Sequence, residues 1–470
     1  MLLLNLLIKP FWLLGIDRAV QNTVGAESYG LYSALFNFSF LFNILLDIGI
    51  TNFNNRNIAQ HNHLLQKHLS GIIMLRLVLA GVYAIVSLGV ALILGYKGSQ
   101  LWMLGILLLN QGLISFILYL RSNIAGLHLF RIDSMISVLD RAIMIIICSI
   151  LLWGNCTEGQ FRIEWFVWAQ TFAYLITILV TFLIVSSKAK LNRLQWNPKF
   201  FLIILKQSYP FAILILLMTF YNRIDSVMLE RLLPNGAEQA GIYAQSYRLL
   251  DASNMIAYLF SGLLLPMFSQ MIKKKQPLEE LVELSFSFIA IPAITVISFC
   301  FFFSQDIMGL LYHAHVVESA AVFRLIMSCF LAISSVYIFG TLLTANGNLK
   351  YLNLVAMSGM IMNIALNLIL IPKMQSLGAA TASMTTQFIT AGLQIWLAHR
   401  VFHFKFQWNL GLRYLLFIGL SFGIFYFLHS TEGHWMMKGM LGVAACFMIS
   451  LLLYLIRPRE LVKLIKSEKA

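Results

Sequence analysis

Long apolar runs broken by short polar ones make up nearly the whole chain. Stretches of roughly 17–25 apolar residues, the length a tilted membrane helix needs, fall at about 2–24, 30–50, 71–94, 101–121, 133–153, 164–186, 201–229, 240–268, 281–303, 320–343, 351–371, 377–399, 411–429 and 435–456. The pattern predicts an all-α polytopic membrane protein with about 14 transmembrane helices. Lys9-Pro10 interrupts the apolar residues 1–16 and no small-residue cleavage site follows, so they read as a retained helix rather than a signal peptide.

The informative positions are the exceptions inside those spans. Lys9, Asp17 and Arg18 fall in the first, Asp47 in the second, Arg76 in the third, Asp140 and Arg141 in the fifth, Arg223 and Asp225 in the seventh, Arg248 and Asp251 in the eighth and Arg324 in the tenth. An ionisable group in mid-membrane costs about 2.5–3.5 kcal/mol even on the lenient insertion scale, so it faces a bundle interior or a wet cavity. At helical spacing Thr219, Arg223, Ser226 and Glu230 share one face, and Tyr247, Asp251, Asn254, Tyr258 and Ser261 share another. Both helices therefore have a polar side and a lipid side. Arg76, near the end of its span, is expected to snorkel to the interface. Asp140 and Arg141 point about 100° apart and need not pair with each other. Asn363 and Asn367, one turn apart, suit helix-to-helix bonding or ligand contact.

One segment recurs. Gly25-Ala26-Glu27-Ser28-Tyr29-Gly30-Leu31-Tyr32 matches Gly236-Ala237-Glu238-Gln239-Ala240-Gly241-Ile242-Tyr243 at six of eight positions, counting the conservative pair Leu31/Ile242, and Ile16-Asp17 upstream mirrors Ile224-Asp225. The placement between the first two spans of each half argues for duplication. The expected organisation is an N-terminal lobe over 1–187, a basic linker over 188–199, a C-terminal lobe over 200–400, and two added helices with a basic tail over 401–470. Six spans precede the linker, so both lobes enter the membrane in the same sense and are related by an axis along the membrane normal.

Composition sets the class. Hydrophobic residues are 60%, charged residues 11% and the mean hydropathy +0.82, outside the range of soluble globular domains. The net charge of +14 would suggest nucleic acid if it lay on a soluble domain. It follows topology instead: alternate loops carry Arg56, Lys67, Arg121, Arg131, Lys188 to Lys206, Lys273 to Lys275, Lys350, Arg400 and the tail, while the opposite loops carry only Lys97, Arg162, Arg231, Lys373 and Lys438. The positive-inside rule makes the first set cytoplasmic and puts both termini there. Within the spans seven basic residues face five acidic ones, a small surplus. No nucleic-acid partner is expected.

Catalytic chemistry is missing. The five cysteines, only Cys156 of them in a loop, form neither a disulfide framework nor a zinc pattern, and the His61/His63/His68 stretch reads as a solvated connector. No phosphate-cradling GxxxxGK[ST], HExxH or Gly-x-Ser-x-Gly occurs. Transport remains, with no cofactor or metal, driven by an ion gradient, the membrane potential or the substrate's own gradient.

The run VGAESYGLYSALFNFSFLFNILLDIGITNFNNRNIA resembles the first helical hairpin of polysaccharide flippases in the multidrug/oligosaccharidyl-lipid/polysaccharide (MOP) exporter superfamily, and TANGNLKYLNLVAMSGMIMNIALNLILIPKMQSLGAATAS resembles its eleventh and twelfth helices. The resemblance implies two six-helix lobes forming a V around a cavity that opens to each side in turn. It implies a polyprenyl-diphosphate-linked oligosaccharide, such as an O-antigen or capsule unit, moved from the inner to the outer leaflet of a bacterial inner membrane by a monomer. Membrane lipids surround it, and glycan polymerases or glycosyltransferases are implied as partners. Guanidinium groups offer a diphosphate forked, permanently charged donors, so Arg18, Arg223 and Arg248, then Lys9 and Arg141, are the expected headgroup contacts. Asp17, Asp225 and Asp251, with Asp47 and Asp140, would hold those cations in the empty cavity or take up a coupling ion, H+ or Na+. Competing readings are a cation-coupled multidrug exporter of the same superfamily, a flippase for a lipid-linked peptidoglycan precursor, and a membrane glycan polymerase, which the short outer loops disfavour.

Overall fold

The computed structural model describes residues 8, 10–51, 54, 58, 64–127, 129–154, 161–188, 196, 198–404 and 408–455. Among them the secondary structure is helical throughout. A π-helical stretch, Trp12–Asp17, runs into α1 (Arg18–Leu41), followed by α2 (Ile44–Asp47), α3 (Leu64–Ile93), α4 (Ser99–Gly126), α5 (Phe130–Trp153), α6 (Ile163–Lys188), α7 (Pro198–Leu232) and α8 (Gly236–Lys273). Then come α9 (Glu279–Phe302), α10 (Ser304–Leu311), α11 (Val316–Ala345), α12 (Leu349–Phe402), α13 (Trp408–Ser430) and α14 (Trp435–Leu452).

Eleven of these helices are long and apolar enough to cross a membrane. The 54-residue α12 is two spans, bent at Gln375 (φ 51°, ψ −132°) just past Pro372. The first two spans are carried by the π-helical stretch and α1, which turns at Gly25 (φ 82°, ψ 169°). That brings the spans to fourteen, as the apolar pattern predicts. The second span differs from expectation: it is not one helix over 30–50 but breaks after Leu41, resumes as α2, and ends on two left-handed residues, Ile48 (φ 44°) and Gly49 (φ 83°). A break at membrane depth leaves backbone groups unpaired. Asp47 repairs part of it, accepting hydrogen bonds from the Thr51 N–H (3.1 Å) and hydroxyl (2.5 Å).

The chain divides into two compact units, Met1–Ala244 with Asn367–Gln375 and Gln245–Leu366 with Ser376–Ala470. In the first unit the opening span is bound to α6 by Trp12, stacked on Phe166 at 5.6 Å and 3°, and the second span by Tyr32, which meets Phe166 edge-on at 5.4 Å and accepts a 2.9 Å hydrogen bond from Gln170. In the second unit the last two spans lie on α9. Phe299 meets Phe425 at 5.8 Å, Gly442 packs on the Phe425 ring and Gly439 on Phe299, and Ser287 shares a 2.7 Å hydrogen bond with Tyr414. Small residues let these membrane helices approach closely, which is the main attraction available where lipid is as apolar as leucine.

Candidate functional site

The duplicated octapeptide forms a close helix contact within the first unit. A methyl group added at Gly30 would fall on the carbonyl of Ala237, and one at Gly241 on the carbonyl of Ala26. Under the repeat, Ala26 corresponds to Ala237 and Gly30 to Gly241, so the two contacts are one contact seen twice. Each copy is a small-x-x-x-small motif packed against the other. Gln21 fastens the crossing by donating to the Gly241 carbonyl at 3.1 Å.

The aspartates upstream of each copy are held alike. Asp17, buried, accepts a 2.8 Å hydrogen bond from the Tyr29 hydroxyl. Asp225, also buried, accepts one from Tyr243 at 2.7 Å and another from the side chain of Asn367 at 2.7 Å. Tyr29 and Tyr243 escaped the sequence reading because the repeat aligns Tyr29 with Ala240 and Tyr243 with Tyr32, so the two do not occupy equivalent positions.

The predicted arginines are distributed as follows. Arg18 is half-buried at the start of α1, with its Nε lacking a hydrogen-bond partner. Arg223, half-buried on α7, lies over the Phe40 ring at 5.6 Å. Arg141 lies over Trp12 at 5.4 Å. Arg223 and Arg141 thus come from separate helices to the first two spans. Arg141 also meets its own neighbour, a pairing that the sequence left open, with Nε 3.8 Å from Asp140 Oδ2. Arg248 and Asp251 belong to the second unit, both half-buried and nearly one turn apart on α8. Lys9 and the His61/His63 pair lie outside the described residues, as does most of the 188–199 linker. No group of three potential metal ligands occurs among the described residues.

Arg76 does not snorkel. It is 5% exposed and ion-paired with Asp47, and it donates to the Thr51 hydroxyl at 2.7 Å and to the Ser115 hydroxyl and carbonyl, both at 2.8 Å. The broken second span brings Asp47 to it and removes the reason to reach for water. A second charged cluster joins the end of α7 to the α3–α4 turn. Arg231 pairs with Glu230 at 2.8 Å, lies 3.4 Å over the Tyr96 ring and donates to Gln100 at 3.0 Å, while the Tyr96 hydroxyl donates to Glu230 at 3.1 Å. Burial pushes the Tyr96 phenol well above its usual range, and the Glu230 charge adds to the shift, so it remains a donor. Arg324, in the second unit, donates to Ser304 at 2.7 Å.

A family model described as polysaccharide biosynthesis protein matches residues 18–272, more than half of the 470. The chain belongs to the polysaccharide biosynthesis protein family. This family member has the all-α MOP-superfamily transporter fold. It superposes on a lipid II flippase, MurJ, in an inward closed conformation with a TM-score of 0.71 at 15% identity, over 98% of this chain and 100% of that one. An inward-facing multidrug-resistance transporter of the MATE family gives 0.65 at 12%, over 83% and 94%. A MOP-superfamily transporter from Pyrococcus furiosus gives 0.59 at 12%, over 85% and 93%. No curated protein sequence matches the chain. The match to the polysaccharide biosynthesis family begins at Arg18 and takes in Asp47, Arg76, Arg141, Arg223, Asp225, Arg248, Asp251 and both copies of the octapeptide.

Proposed function

We propose that the protein is an alternating-access flippase that carries a polyprenyl-diphosphate-linked saccharide from the inner to the outer leaflet of a bacterial inner membrane. The observation that carries this reading is coverage. The flippase fold accounts for 98% of the chain, whereas the multidrug and Pyrococcus furiosus transporters account for 83–85%. Arg18, Arg223, Arg248, Arg141 and Lys9 are the proposed headgroup contacts, since an anion as concentrated as a diphosphate needs several forked donors to replace its water. Asp17 and Asp225, held by tyrosine hydroxyls, together with Asp251, are proposed to balance that charge or accept a coupling cation. The lobes over 1–187 and 200–400 are the proposed moving bodies.

Within this cargo class, likeness to the lipid II flippase supports a peptidoglycan precursor and the family match supports a surface-polysaccharide unit. Depletion in the native host separates them. Lysis with accumulated precursor marks the first, and growth without surface glycan marks the second. Lost drug resistance with both glycans intact would sink the proposal. A lost charge-assisted hydrogen bond costs about 1.5–3 kcal/mol, so Arg18→Ala, Arg223→Ala and Arg248→Ala should each lower flipping in proteoliposomes roughly tenfold to hundredfold, with the protein still folded.

A further inference from the structure

The cluster at Glu230 and Arg231 has no part in the proposed headgroup site, and its hydrogen bonds all run one way. Both residues stand at the end of α7, in the first unit, beside the corner where α3 turns into α4. As neighbours on one helix they join no two elements by pairing with each other. What they bind is the corner. Arg231 donates from one Nη to the Gln100 side-chain oxygen at 3.0 Å and from the other to the Leu94 carbonyl at 3.5 Å, and its guanidinium lies over the Tyr96 ring. Glu230 accepts from the Tyr96 hydroxyl at 3.1 Å and from the Gln100 amide nitrogen at 3.5 Å. Gln100 thus turns its oxygen to the cation and its nitrogen to the anion.

The receiving side is preformed. Gly95 ends α3 in the left-handed region (φ 81°), and the Tyr96 N–H returns to the Ala91 carbonyl at 3.1 Å, which closes a glycine C-cap. That cap holds the buried Tyr96 ring under Arg231. Side-chain exposure is 7% at Glu230 and 23% at Arg231, so these charge-assisted bonds are made largely out of water, where they are strongest.

The cluster is not the end of a longer seam. Among the described residues α3 packs along α2 and α4, α4 along α1, α5 and α6, and α7 along α1. An interlocked apolar seam resists parting because it must expose its surface to water. Directed polar bonds gathered at one point part more easily, since water takes the place of each lost partner. Such a joint is strong when closed and can still be released.

It also joins the two proposed moving bodies. Tyr96 and Gln100 belong to the lobe over 1–187, Glu230 and Arg231 to the lobe over 200–400, and the cluster lies on the side opposite the basic loops, with Lys97. We infer that Arg231 and Glu230, closed on Tyr96 and Gln100, form a releasable latch that holds the lobes together on the outer side and must part before cargo reaches the outer leaflet. The inference rests on the alternating-access reading.

The test is double electron–electron resonance on the full chain in lipid nanodiscs, with spin labels at Lys97→Cys and Asn235→Cys, exposed positions on either side of the cluster, and Cys156→Ser to remove the loop thiol. With the latch intact a short distance should dominate. Arg231→Ala should raise the ratio of long to short distances about tenfold or more, the effect of one lost charge-assisted bond. Gln100→Ala, which leaves the Glu230–Arg231 pair in place, should move the ratio the same way and serves alone if the arginine variant does not fold. Conversely, joining Gln100→Cys to Arg231→Cys with a reducible thiol-reactive linker should stop transport of a fluorescent polyprenyl-diphosphate disaccharide in proteoliposomes, and reduction should restore it. Unchanged distances in both alanine variants, or undiminished transport by the linked protein, would overturn the latch. Opening in the variants without transport of the probe would leave the latch standing and count against the cargo.

Discussion

Asp47→Ala lowers the stability of the protein by about 3–5 kcal/mol, the cost of leaving a buried charge without its partner. Arg76 is the group left behind. At 5% exposure it cannot recover water, and its remaining partners, Thr51 and Ser115, are neutral. The loss has a second source, because the carboxylate also holds the Thr51 N–H where the second span has come apart. Asp47→Asn should fall between, keeping an acceptor oxygen and losing the charge. Arg76→Met alone should cost less than Asp47→Ala, and the double variant Asp47→Leu/Arg76→Met should recover most of the loss, since an apolar pair of similar volume does as well as a buried ion pair or better. Thermal unfolding in lipid nanodiscs reads all four. Strict additivity of the single losses in the double variant would mean that the pair is not coupled.

Gly30→Ala is the other severe substitution. Its new methyl carbon would lie within contact of backbone alone, on the Ala237 carbonyl and 2.5 Å from the Gly241 nitrogen. Overpacking by a methylene or two typically costs about 1–3 kcal/mol and sometimes more, and that figure assumes side chains that can turn aside. Here two helix backbones must separate, so we expect about 3 kcal/mol or more, and a comparable loss for Gly241→Ala. Gly105→Ala is the control within the same unit. With nothing within 4 Å of its new methyl, it should be neutral or should gain about 0.5–1 kcal/mol from the better helix former. Equal losses at Gly30 and Gly105 would show that the α1–α8 crossing is not close-packed.

The sequence made the spans legible because lipid imposes one rule on every segment: hydrogen bonds must close internally and the surface must be apolar. The turn between α1's two halves was legible too, since Gly25 opens a repeated motif and only glycine takes φ near +80° without strain. What failed were statements about partners. Arg76 stood near a span's end, where reaching for water is the ordinary solution, and nothing in its neighbourhood announced that a break about thirty residues earlier would deliver Asp47. That break had a single local sign, Gly49, which follows a left-handed Ile48 that no propensity favours. The partner of Arg141 was left open, since backbone angles alone do not decide it, and the side chains of Asp140 and Arg141 fold back to 3.8 Å. The arginines proposed to meet the cargo were found by the cost of burying charge, which says that such a residue needs company without saying whose.

The duplicated octapeptide carries a reciprocal constraint. Because each copy is the surface on which the other rests, a change of volume in one can be accommodated only by an answering change in the other, whereas the remainder of the two halves is free to drift. Fusing the halves in the opposite order, or expressing them as separate polypeptides, should therefore leave this crossing as the site of reassembly, and two copies of the N-terminal half alone should be able to form it with themselves.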